Sequence, residues 1–276
     1  MRFAIIVSEK DMAGMNIRDH LLTKFAPTSQ FYEGKPCFYS KIGDHDCNLY
    51  TLKNDTIYSD NLEKSIIADH YIFATRHQSK SGEKTLSVHL PGNFGKAEFG
   101  GASNTLCRVH PGILKEAFIL LNRFGKDLDY AITLECTHHG PSLDKPVFFI
   151  EIGSKEEQWR DNAAAIVITK VIIETIRNFK NKDFISVIGF GGSHYCAAFN
   201  KIELESDIAL SHICPKYAIE NISEVMITQM ISKTNDKISL ALLDWNGLSG
   251  KDKQKLKYLL DKLNINYKRT KDVNYG

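Results

Sequence analysis

The stretch Glu135-Cys136-Thr137-His138-His139-Gly140-Pro141 sets two adjacent imidazoles behind a carboxylate and a thiol, then turns the chain at Gly-Pro. More histidines and acids recur along the chain at His77, His89, His110, Glu151, His194 and His212. Imidazoles and carboxylates together support two kinds of chemistry. They can hold zinc, which takes nitrogen and oxygen donors in near-tetrahedral geometry, or they can pass protons as general acids and bases. Glu135 and Glu151 would then be ligands, or the base for a zinc-bound water. Any one of these histidines is also explained as a surface or hydrogen-bonding residue. The spacing is not H-E-x-x-H, so spacing leaves ligand, catalyst and polar loop open.

The elements that must position these residues follow from apolar patterning. Residues 3–7 form a continuous apolar run, as a buried parallel strand requires. A helix is expected over 11–25, then a strand pair (37–43 and 47–53) around Asp44-His45-Asp46. Residues 70–75 predict a buried strand ending at Arg76-His77. Residues 130–136 and 146–153 predict strands on either side of the histidine pair. Pro111 is placed for the first turn of a helix reaching about Phe124. Ser154 to Glu157 has a capping-box pattern, with a helix behind it that carries Ala164, Ile168, Val171, Ile172, Ile176 and Phe179 on one face. Residues 184–195 read as a strand and a glycine turn, 238–245 as a strand, 249–263 as an amphipathic helix, and 265–267 as a closing strand. Strands alternating with helices imply an α/β protein: a three-layer α/β/α arrangement with a mostly parallel or mixed sheet and a second, smaller α/β domain. The expected division is residues 1–80 plus 235–276 as one α/β domain and 81–234 as the catalytic one. His77, His138, His139 and His194 would meet in the crevice at strand C-terminal ends.

Composition narrows the class. The 276 residues are 43% hydrophobic and 25% charged with a net charge of +2, an ordinary globular balance that does not announce a nucleic-acid binder. The six cysteines form no C-x-x-C pair and read as core residues, although several stand beside histidines. The N-terminal apolar run, about five residues, is too short for a signal peptide or a membrane span, so a cytoplasmic protein with no membrane contact is expected. No G-x-x-x-x-G-K-[ST] loop or G-x-S-x-G elbow occurs, and His194 stands where the turn Gly189-Phe-Gly191-Gly192-Ser193-His194 would need a third glycine. No nucleotide cofactor is expected. Residues 251–272 carry eight Lys or Arg against three acids, either a solvated helix face or a phosphate contact surface.

Taken in order, the blocks 73–89 (FATRHQSKSGEKTLSVH), 92–101 (GNFGKAEFGG), 137–154 (THHGPSLDKPVFFIEIGS), 189–195 (GFGGSHY) and 211–217 (SHICPKY) resemble the D-aminoacyl-tRNA deacylase family of the archaeal and plant type. The resemblance implies a phosphorylase/hydrolase-like α/β fold similar to peptidyl-tRNA hydrolase. It implies an esterase that frees D-amino acids from the tRNA 3′ end using zinc, two ions per chain. On that basis His89, His138, Glu151 and His194 are expected at the metal, with His139 and Glu135 as catalytic proton carriers. Arg76, His77, Gly191, Gly192 and Lys216 are expected to contact the substrate, the Gly189–Gly192 turn through its backbone N–H groups. Because neighbours in an extended chain point to opposite sides, His138 is expected to face the metal and His139 the substrate. A zinc aminopeptidase, a peptidyl-tRNA hydrolase and a non-catalytic tRNA-binding module are the competing readings.

Overall fold

The computed structural model describes residues 1–80, 82–180 and 184–274; Ser81 of the first motif block lies outside them. The chain opens with strand β1 (Arg2–Ser8), helix α1 (Met12–Leu21) and strands β2 (Ala26–Tyr32), β3 (Lys35–Ile42), β4 (His45–Leu52) and β5 (His70–Gln78). It continues through β6 (Thr85–His89), the short β7 (Gly92–Asn93) and β8 (Thr105–Leu106), α2 (Pro111–Gly125), β9 (Ala131–Leu134) and β10 (Val147–Ser154). The last part contains α3 (Glu156–Trp159), α4 (Asn162–Asn178), β11 (Ile185–Phe190), α5 (Ala197–Glu205), β12 (Ile208–Cys214), α6 (Glu224–Ser232), β13 (Leu240–Leu243), α7 (Gly250–Lys262) and β14 (Tyr267–Arg269).

Two main sheets result. The larger has the order β2-β3-β4-β1-β5-β10-β6-β9 and is mixed, with β4, β1, β5 and β10 parallel and β6 running against β10. The smaller, β12-β11-β13-β14, is wholly parallel. The sheets run across the boundary expected at residue 80. β5 pairs with β10 along its length, and β13-α7-β14 joins β11 rather than β1.

Helices α1, α2 and α4 cover one face of the large sheet, burying Ile72, Ala74, Leu86, Val88, Ile150 and Ile152 against Ile17, Phe118, Ile168 and Ile172. The smaller sheet has α2 and α5 on one face, and α6 and α7 over Ile188, Phe190, Ala241 and Leu243 on the other. Lys115 on α2 fastens the two sheets by donating to the carbonyls of Glu203, Ser206 and Ile208. Among the described residues no helix is long and apolar enough to cross a membrane.

Local signals place most boundaries. Pro111 opens α2 at its first turn, and Ser249 with Asp252 makes the capping box of α7. Asp11 caps α1 by accepting from Gly14 N (2.8 Å), while its other oxygen takes Arg76 N (2.8 Å), one residue before His77. The expected Ser154 cap is displaced by one residue, because Ser154 still belongs to β10. The helix behind it is also two helices, since Asp161 accepts from Ala163 N (2.8 Å) and starts α4 anew.

At the N-terminal edge of the large sheet His70 stacks on Phe3 (ring centroids 5.1 Å) and meets Phe179 and His110. Burial, then the neighbouring His110, pushes His70 down to about 3. A histidine held neutral in the fold but free to protonate when unfolded contributes stability above its unfolded pKa of about 6.5. That contribution is lost as the pH falls from there toward 3. The slope of unfolding free energy against pH between 6.5 and 4 should therefore flatten in His70→Leu, by a total on the order of 3 kcal/mol. Denaturant titrations across that range would measure it, and parallel curves for the two proteins would contradict the assignment.

Candidate active site

The register of three strands builds the floor of the site. Thr75 pairs with Glu151 and Glu151 with Ser87, while Phe149 pairs with Phe73 and His89. Side chains alternate along a strand. Thr75, His77, His89, Phe149 and Glu151 therefore share the face that helices α1, α2 and α4 do not cover. His89 stacks on Phe149 (5.0 Å, 14°), which stacks on Phe73 (4.8 Å), so an apolar shelf supports the polar centre from below. Gly153 makes room for His77, since a Cβ there would lie 2.9 Å from His77 Cδ2 and 2.5 Å from Thr85 Oγ1.

The remaining residues come from two loops. The chain after β9 keeps pairing, Glu135 N to Val88 O (3.1 Å), and brings Glu135, His138 and His139 over the shelf. The segment after β11 returns beside it, with Cys136 N donating to His194 O (3.0 Å), and supplies His194 and Tyr195. Seven of the expected residues meet in this centre: His77, His89, Glu135, His138, His139, Glu151 and His194.

Distances within the centre are short. His77 Nδ1 lies 3.3 Å from Glu135 and 3.5 Å from Glu151, His89 Nε2 3.6 Å from Glu151, and His138 Nε2 3.6 Å from Glu135. His194 Nε2 is 3.0 Å from Glu135 Oε2, yet neither atom is aligned as a hydrogen bond. Both Glu135 oxygens and both His89 nitrogens are buried, and among the described residues they have no hydrogen-bond partner. Such atoms are costly in a dry interior. Donors around one tetrahedral zinc, at bonds of about 2.0–2.1 Å, stand roughly 3.3 Å apart, which is the spacing found. The donor sets His89/His138/His139 and His77/Glu135/His194 share no residue, and the atoms of each lie within 4.8 Å of one another.

Both carboxylates and the two adjacent imidazoles stand in the form that ligation needs, whereas His194 is held as the cation. Burial would raise Glu151, but His77 and His89 hold its carboxyl well below the usual range. Glu135 is lowered too, against its burial, chiefly by His194. Burial pushes His138 far down and His139 down to about 4, so both rings are neutral. Burial also disfavours the His194 cation, yet Cys136 and Glu135 push it up to about 10. His138 Nδ1 meets Cys136 O (2.8 Å) and His139 Nδ1 meets Gly140 O (2.6 Å). A carbonyl only accepts, so each Nδ1 carries the hydrogen and each Nε2 presents its lone pair.

Several expectations are corrected by this geometry. His139 has φ 41, so the chain there is not extended and the two rings do not point apart; they lie 4.4 Å apart and both touch His89. His77 stands between the two carboxylates, with its Nε2 3.2 Å from Tyr195 OH, as a member of the centre itself. The Arg76 guanidinium is engaged by Lys10 O, by Asp55 and by the face of Trp159. Gly191 N already donates to Cys214 O (2.9 Å), so that N–H is not free for an oxyanion. Gly192 O accepts from Lys216 N, which sets an exposed Lys216 beside the turn. His110 belongs to the His70 cluster, and His212 bonds Cys107 O and Thr137.

Three contributors went unassigned in the sequence. Thr75, whose hydroxyl donates to Glu151 Oε1 (2.6 Å), is two residues before His77, and strand alternation points to it. Tyr195 and Phe149 carry no such signal; only the fold brings them in.

The fold and the site thus define an α/β protein with a buried imidazole-carboxylate centre whose residues could hold a metal ion. A family model described as D-aminoacyl-tRNA deacylase matches residues 65–268. A D-aminoacyl-tRNA deacylase of Thermococcus onnurineus is 35% identical over 96% of this chain and 98% of its own length. One of Methanocaldococcus jannaschii is 32% identical over 98% and 100%. A crystal structure titled as a conserved protein of unknown function, AF0625, superposes with a TM-score of 0.89 at 29% identity, over 99% of this chain and 96% of that one. The chain belongs to the D-aminoacyl-tRNA deacylase family, a family of enzymes.

The outer contact from Thr75 yields a direct test. Thr75→Val removes the hydroxyl that orients Glu151, and affinity for added zinc should fall by roughly 10- to 100-fold. Competition against a chromophoric chelator measures this; an unchanged affinity would place Glu151 outside any metal site.

Proposed function

We propose that this chain hydrolyses the ester joining a D-amino acid to the 3′ end of tRNA, releasing the free D-amino acid and tRNA, with zinc bound at the centre. The observation that carries the reading is the pair of buried carboxylates, Glu135 and Glu151, ringed by imidazoles, with both Glu135 oxygens, both His89 nitrogens and His194 Nε2 buried and without a hydrogen-bond partner among the described residues. Family membership supplies the substrate class.

An aminoacyl ester is already activated, so hydrolysis needs a positioned water and stabilisation of the developing oxyanion. His89, His138, His194, Glu135 and Glu151 would hold the metal. Zinc supplies Lewis-acid polarisation of the carbonyl and a lowered pKa for the attacking water. His77, braced by Tyr195 and set between the carboxylates, orients both of them. The His139 Nε2 lone pair accepts the proton of the attacking water and returns it to the departing ribose oxygen as the acyl C–O bond breaks. The site is accessible to solvent at His194, whose side chain is 35% exposed, whereas Glu135 is wholly covered. Lys216 at the surface beside Gly192 suits a phosphate of the substrate's end, and the basic face of α7 suits backbone contact further off.

Zinc-loaded protein should deacylate D-Tyr-tRNA, and His139→Ala should lower kcat by roughly 10²- to 10⁴-fold. Removing the metal with a chelator should abolish turnover, and added zinc should restore it. Intact D-Tyr-tRNA beside cleavage of its N-blocked form would move the assignment to a peptidyl-tRNA hydrolase. Zinc-free protein that binds tRNA without turnover would move it to a binding module.

A further inference from the structure

Two large aromatic side chains stand exposed on segments locked to the active-site turn. Tyr58 is 58% exposed and Phe99 62%. Tyr58 ends a 3-10 turn (Thr56–Tyr58), and Phe99 lies in the glycine loop before β8. Neither ring is needed for the core, which closes beneath them with Ile57 and Leu143.

Three backbones interlock at this place. Gly100 (φ 73) lies so close to Ile57 that a Cβ would collide with its carbonyl and come within 3.3 Å of the Tyr58 ring. A Cβ on Gly101 (φ 75) would stand 3.0 Å from the Gly140 Cα, and Gly140 N donates to Phe99 O (2.9 Å). Asn93 Nδ2 holds the loop by donating to Gly100 O (2.9 Å), and Ser142 Oγ accepts from Ala102 N (2.9 Å). On its far side the turn carrying Tyr58 is tied through Asp55 to Arg76 (3.3 Å), the neighbour of His77. The Tyr58 ring therefore lies beside the residue that follows Phe99. The shared base is bonded to the turn of His139 on one flank and to the strand end of His77 on the other.

We propose that Tyr58 and Phe99 form a stacking platform for the unpaired bases at the 3′ end of the tRNA, holding the terminal ribose ester over the buried centre. The proposal rests on the tRNA reading above. Unpaired nucleotides are gripped by stacking on aromatic faces, and an exposed pair of rings on a rigid base keeps its geometry without ordering cost at binding. Continuity with the catalytic turn argues for this occupant: whatever lies on the rings is one residue from the hydrogen bond that holds Gly140, next to His139.

The test combines binding and kinetics on the full chain. A fluorescently labelled single-stranded RNA ending in CCA should bind the wild type. Phe99→Ala and Tyr58→Ala should each weaken it by roughly 5- to 100-fold, the range of one stacked base, while Phe99→Trp and Tyr58→Phe restore it. In deacylation of D-Tyr-tRNA the alanine variants should raise KM by a similar factor with little change in kcat. Melting temperatures close to wild type would show that the variants are folded. Equal RNA affinity for wild type and both alanine variants overturns the platform, as does a loss confined to kcat. A wild type that binds the RNA through these rings but leaves D-Tyr-tRNA intact overturns the deacylase reading alone.

Discussion

Two carboxylates share one dry pocket, and the organisation of the surrounding chain follows from making that tolerable. Glu135 and Glu151 are almost wholly buried and act on each other as like charges. A buried charge is admissible only when paired, and removing a partner from such a group costs about 3–5 kcal/mol. His77 answers both acids at once, His194 answers Glu135, and Thr75 with His89 answers Glu151. This arrangement leaves the Glu135 oxygens, the His89 nitrogens and His194 Nε2 close to other polar groups but without hydrogen bonds among the described residues.

The price of such a centre is close packing of backbone around it. His77 can lie where it does because position 153 has no side chain to obstruct it. The turn at 139–140 lies so close to the glycine pair at 100–101 that position 140 admits no Cβ. The same approach that fixes the His139 ring also fixes the loops bearing the exposed aromatics. Rigidity of the chemistry and rigidity of the surface beside it are consequences of one interlocked set of backbones.

Much of the fold was legible as pattern. β1, β5 and β10 each contain an unbroken apolar run, residues 3–7, 71–74 and 147–150, because they are central strands covered on both faces. α2 and α7 carry their start signals in Pro111 and Ser249. Other elements left no mark. β2 is an exposed edge strand whose residues need no apolar alternation. β12 is buried throughout, but a histidine and a serine in its run conceal it, and the short α5 and α6 take their stability from packing rather than from long periodic stripes. Nor did the division of strands between two sheets show in the sequence, because β6 turns antiparallel to β10 and brings the middle of the chain into the first sheet.

The order of imidazoles, carboxylates and glycines along the chain was enough to point to the family and to seven of the residues that meet in the buried centre. It was enough because motif residues keep their types and local spacing whatever the fold does with them. Which histidines meet was decided only in three dimensions. His77 and His89 enter from the strands on either side of β10, whose register no local pattern encodes, and His110 and His212, of the same type, are carried away to other packing. The pair at 138–139 shows the division most plainly. Its chemistry is written in two letters, but the side each ring takes depends on a left-handed φ at His139 that tertiary contacts with Gly92 and Phe99 impose on the turn.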